Sequence, residues 1–164
     1  MIHLHIEYLK TGRLKYFLMF AGIMLITSYI STNWCQLVLI RGDSMLPTYH
    51  NMQFVLMDRH SENYTYNDVI AFWCEDLRAV LIKRIVACPG DEVLILEGTL
   101  YVNGEVSNVF SEEYLFEYAG IANDIVQLTA GQYFVIGDNM DKSKDSRYPA
   151  VGCVSVESIK GKLI

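Results

Sequence analysis

Leu100-Tyr101-Val102-Asn103-Gly104-Glu105-Val106 sets Asn-Gly between two short β-prone runs, which is the signal of a two-residue hairpin. Asn and Gly both tolerate the positive φ that such a turn requires, so the flanking runs fold back as antiparallel partners. Outward from this hairpin, similar runs recur between turn residues at 36–40, 53–57, 69–74, 80–86, 92–96, 125–128, 133–136 and 151–156. Short strands at that spacing predict a mostly β domain, an antiparallel sandwich or small barrel. Only residues 111–118 read as helical in this part of the chain, and no repeat, linker or second folded domain is visible.

Ahead of the β-rich part, residues 16–30 read YFLMFAGIMLITSYI, apolar and without charge. Extended to Trp34 the run has 19 positions, about 28 Å of helix. A transmembrane signal anchor over 16–34 is the expectation, with the lipid bilayer as partner. Lys10, Arg13 and Lys15 precede the run and only Arg41 follows closely. This bias puts residues 1–15 in the cytoplasm and the domain 35–164 outside it, as a single-pass protein of the cell membrane. A cleaved signal peptide and a buried core helix are the competing readings; Ser28-Tyr29-Ile30 is not a small-x-small cleavage site.

The 164 residues carry 13 basic and 19 acidic side chains, net −6, and the excess lies in the exported part, where residues 31–164 hold 10 basic and 18 acidic groups. An acidic surface lacks the cations that neutralise phosphates, which excludes nucleic acid as a partner class. At 52% hydrophobic and 20% charged the chain is long and apolar enough for one packed domain. Cys35, Cys74, Cys88 and Cys153 show no C-x-x-C spacing, so no metal or other cofactor is implied. A disulfide and buried free thiols fit them equally well.

Three segments depart from ordinary strand-and-turn sequence. In Arg41-Gly42-Asp43-Ser44-Met45-Leu46-Pro47-Thr48, Ser44 stands at a strand end on a bend. Gly42, lacking a Cβ, lets backbone N–H groups turn toward an oxyanion. In Val80-Leu81-Ile82-Lys83-Arg84-Ile85-Val86, two adjacent cations interrupt an apolar strand. Strand alternation puts Lys83 on the face of Leu81 and Ile85, and Arg84 on the face of Ile82 and Val86. One of the two must therefore point into apolar surroundings. Burial lowers the pKa of a lysine whereas arginine stays protonated, so Lys83 is the one suited to act as a base. The third segment, Gly137-Asp138-Asn139-Met140-Asp141-Lys142-Ser143-Lys144-Asp145-Ser146-Arg147, is a polar loop after an apolar strand, in which Asp145 and Arg147 are placed to pair.

In this order the three segments resemble the motifs of type I signal peptidases, membrane-anchored serine proteases that remove signal peptides from exported proteins. The nucleophile motif is matched by Gly42 to Thr48. The lysine motif is matched by Lys83-Arg84-Ile85-Val86 with Pro89-Gly90-Asp91, and the third motif by Gly137-Asp138-Asn139 with Ser143, Asp145, Ser146 and Arg147. Spacings of 39 residues from Ser44 to Lys83 and 60 from Lys83 to Ser143 resemble the short, Gram-positive-like form.

The resemblance implies Ser44 as nucleophile and Lys83 as general base. It further implies Ser143 as the group that orients the lysine amine, Asp145 and Arg147 as a supporting pair, and Asp138 with Arg84 behind the site. Gly42 stands where some bacterial members carry a serine that helps the oxyanion, leaving more to the N–H of Ser44. Ile40, Met45, Leu81 and Ile82 are expected to line shallow pockets for small residues at a small-x-small cleavage site. The implied partners are preproteins that carry signal peptides, and the export translocon. Two rival functions remain, a mitochondrial inner-membrane processing peptidase and a catalytically silent, membrane-anchored domain that binds peptides.

Overall fold

The computed structural model describes residues 2–110 and 115–164, and within the first helix the side chains of residues 13–29. That helix, α1 (Ile2–Asn33), runs unbroken through both segments expected on either side of residue 16. Among the described residues no helix is long and apolar enough to cross a membrane, and the anchor expected over 16–34 runs past the side chains described in α1.

The β domain begins at once with β1 (Cys35–Leu39), then β2 (Phe54–Asp58), β3 (Val69–Cys74), β4 (Ala79–Ala87), β5 (Glu92–Leu96), β6 (Thr99–Val102), β7 (Glu105–Val106), β8 (Val126–Gln127), β9 (Gln132–Ile136), β10 (Val154–Ser155) and β11 (Ile159–Leu163). They form two antiparallel sheets, in the orders β1-β2-β11-β3-β4-β9-β10 and β7-β6-β5-β8. The expected fold class therefore holds for its β part. Asn103 and Gly104, at φ 54° and 81°, turn the β6–β7 hairpin as the two-residue signal requires, and Glu97 and Gly98 repeat the device between β5 and β6.

Strand β3 is apolar on both faces and sits inside the larger sheet, so its alternate residues feed two separate cores. Val69 and Ala71 join Ile40, Met45, Val55, Met57 and Leu163 on one side. Ile70 and Phe72 join Ile85, Tyr133, Val135 and Val154 on the other. A third cluster, with Val86, Val93, Ile95, Leu100, Phe134 and Ile136, cements the smaller sheet to the β4–β9 end of the larger one. Of the helix expected over 111–118, residues 111–114 lie outside the described residues, and 115–118 are not helical. All four cysteines are free thiols.

Candidate active site

Register brings the site together. Lys83 on β4 lies opposite Ile70 on β3, so it shares the apolar face that strand alternation assigns to it, and it is only 3% exposed. Its Nζ donates to Ser44 Oγ at 2.8 Å and to the Ile82 carbonyl at 3.0 Å. Ser44 lies in the turn that follows β1 and is half-buried. Burial pushes the Lys83 amine down from 10.5 to about 8, against the carboxylates of Asp145 and Asp138, which pull it up. Near that value the Lys83–Ser44 contact runs either way: the ammonium donates to the hydroxyl, and the free amine accepts the hydroxyl proton.

The loop after β9 closes over this pair. Asn139 N–H donates to the Ser44 carbonyl and its Nδ2 to the Asp43 carbonyl, each at 3.0 Å, so Asn139 clasps the backbone on both sides of the Asp43–Ser44 bond. At Gly137 the two backbones come so near that a Cβ would lie 2.2 Å from Ser143 Oγ and 2.6 Å from the Ser44 carbonyl oxygen. Asp138 takes Arg84 Nε at 2.7 Å and also pairs with Arg84 Nη2, while the Thr48 hydroxyl donates to the same carboxylate. Those three residues tie one motif each into a single node. Asp145 is wholly buried, accepts the Gly137 N–H at 3.1 Å, and holds Arg147 through Nε at 2.8 Å and Nη2 at 2.9 Å.

The remaining expected residues take the following places. Ser143 is buried beside Gly137, but its Oγ has no hydrogen-bond partner, whereas the Lys83 amine is bonded to Ser44 and the Ile82 carbonyl. Gly42, at φ 90°, has its N–H engaged by Asn51 Oδ1 at 3.0 Å, so that group does not face an oxyanion. No hydrogen bond among the described residues occupies the Ser44 N–H, which leaves it free to serve. Ile40 and Met45 are buried members of the core beneath the Ser44 turn. Leu81 and Ile82 are half-buried and pack on opposite faces of the sheet, as alternation demands. Asn139, Thr48 and Gly137 all stood in the quoted motifs. Their roles depend on backbone approach, which carries no side-chain signature in sequence. Among the described residues no three His, Cys, Asp or Glu side chains gather as a metal would need.

Comparison with known proteins gives the class to which this fold and site belong. The family described as "Signal peptidase, peptidase S26" matches residues 13–164, and the chain belongs to that family. Among particular relatives, it is 31% identical to signal peptidase I of Bacillus licheniformis, over 75% of this chain and 71% of that protein. It is 29% identical to signal peptidase I P of Bacillus subtilis subsp. natto, over 66% of this chain but 64% of that protein's length. In structure it is similar to the signal peptidase I of Enterococcus faecalis, with a TM-score of 0.51 and 29% identity over 63% of this chain and 98% of the other.

Proposed function

We propose that this chain is a serine endopeptidase that removes signal peptides from exported preproteins, with Ser44 as nucleophile and Lys83 as general base. The observation that carries the proposal is the 2.8 Å contact between a serine hydroxyl and an amine that is 3% exposed. The free amine takes the Ser44 proton as Oγ attacks the scissile carbonyl, and the Ser44 N–H donates to the oxyanion that forms. Lys83, now protonated, gives its proton to the leaving amine. Water then opens the acyl ester by the same route in reverse, with Lys83 again as base. The names of the relatives support the substrate class, and cleavage after a small-x-small sequence is the matching expectation.

A bilayer partner is supported by surface chemistry. Phe17, Leu18, Met19, Phe20, Leu25 and Ile26 of α1 are all exposed, as are Leu37, Phe54 and Leu56, which share one face of the β1–β2 pair. Thr27 returns its hydroxyl to the Ile23 carbonyl at 2.9 Å, which lowers its cost in lipid. Partitioned this way, α1 holds the catalytic domain at the membrane, with the basic residues before Tyr16 favouring the cytoplasmic side.

The test is to incubate the purified full-length chain with a preprotein in detergent and sequence the new N-terminus. Ser44→Ala and Lys83→Ala should each abolish turnover, and the double variant should be hardly worse, because the two residues act as one unit. Independent, multiplicative losses, or peptide binding without cleavage by the unaltered chain, would overturn it.

A further inference from the structure

Arg147 is a buried cation held from two directions. On one side Nε and Nη2 meet the Asp145 carboxylate, and Nη2 also donates to the Met140 carbonyl at 2.8 Å. On the other side the contacts come from outside the three motifs. Nη1 donates to the Tyr118 carbonyl at 3.3 Å, and the guanidinium lies 5.3 Å from the centroid of the Phe116 ring. The Ile121 N–H donates to the Arg147 carbonyl at 2.9 Å. Gly120, at φ 58°, approaches that carbonyl so closely that a Cβ would lie 2.0 Å from its oxygen. Phe116 is itself pinned, by its N–H to the Gly98 carbonyl at 2.8 Å and by an edge-on contact with Phe110 at 5.8 Å.

We propose that residues 116–121 form a strap that holds Arg147 in register with Asp145, which makes Phe116 and Gly120 positioning residues for the Ser44–Lys83 site. Two carboxylates bear on Lys83, Asp145 and Asp138, both from the loop after β9. Arg147 neutralises the first and Arg84, from the strand of Lys83 itself, neutralises the second. On β3 the residue opposite is Ile70, without charge. A guanidinium that slackens from Asp145 leaves a stronger negative field at Lys83, favours the ammonium, and shrinks the fraction of free base. The strap thus keeps a structural carboxylate from disabling the base beside it.

Because the inference rests on Lys83 serving as base, its test includes an arm that needs no substrate. Acetic anhydride labelling of the full-length chain across pH, read by mass spectrometry, reports the ionisation midpoint of Lys83 directly. Phe116→Leu retains an apolar side chain but removes the aromatic face. It should raise that midpoint by about half a pH unit and lower kcat/KM at more acid pH about threefold. Leu128→Ala, in the same apolar cluster just after β8, controls for general loosening: it should lower Tm and leave the midpoint in place. An unmoved midpoint in Phe116→Leu, or an equal move in both variants, would overturn the strap. Absence of cleavage by the unaltered chain would count against the proposed function alone, since labelling still reads the strap.

Discussion

Lys83 is under two opposed influences. Burial favours the neutral amine, Asp145 and Asp138 favour the ammonium, and burial prevails, leaving the group at about 8 against 10.5 in the open chain. The free base therefore becomes the major form above about 8, and kcat/KM should rise with pH through that region and then level off. Lys83→Arg should be inactive at every pH, since a guanidinium does not release its proton. The same shift acts on stability. Between about 8 and 10.5 the unfolded chain binds more protons than the folded one, so stability climbs with pH across that window. Below it the buried ammonium costs about 3 kcal/mol. Lys83→Met, without cleavage activity, should then melt several degrees higher than the parent at pH 7 and lose that advantage by pH 10. Thermal unfolding at both values checks the sign, and a lower Tm at pH 7 would contradict it.

At the scale of elements, the loop from Gly137 to Arg147 is built on close approach. Gly137→Ala must push either Ser143 or the Ser44 backbone aside, since its Cβ would overlap both. The expected outcome is a loss of 100-fold or more in kcat with KM little changed, on the order of what a displaced reacting group costs. Steady-state kinetics decide it, and a fully active variant would show that the loop and the Ser44 turn have room to part. The Asp145–Arg147 pair responds differently. Arg147→Met leaves a carboxylate that is 0% exposed without its countercharge, which costs about 3–5 kcal/mol. Denaturant unfolding should register that loss even at pH values where the enzyme is inactive.

For the whole molecule, the helix and the β domain are expected to separate cleanly. A chain beginning at residue 34 retains both sheets and all three apolar clusters. It should keep its β-type circular dichroism and its cleavage of a soluble peptide, yet lose flotation with lipid vesicles. Unfolding on removal of α1 would contradict this division of labour. Flotation that persists would assign the lipid contact to the exposed Leu37, Phe54 and Leu56 face instead.

What was legible in the sequence was local. The β-prone runs between turn residues located the strands to within a residue or two at most positions, Asn103-Gly104 gave its hairpin, and the parity of β4 put Lys83 on an apolar face. Asp145 and Arg147 were legible as a pair because a single residue separates them. Strand β11 was not foreseen: Lys160 and Lys162 make it resemble a solvated tail, and only its insertion between β2 and β3 supplies partners. Tertiary structure alone decided which backbones touch: Asn139 and Gly137 on the Ser44 carbonyl, Gly120 on the Arg147 carbonyl. Periodicity records which face a side chain takes, because that follows from the geometry of one strand, whereas the contact between two distant turns follows from how whole sheets pack and leaves no periodic mark on either.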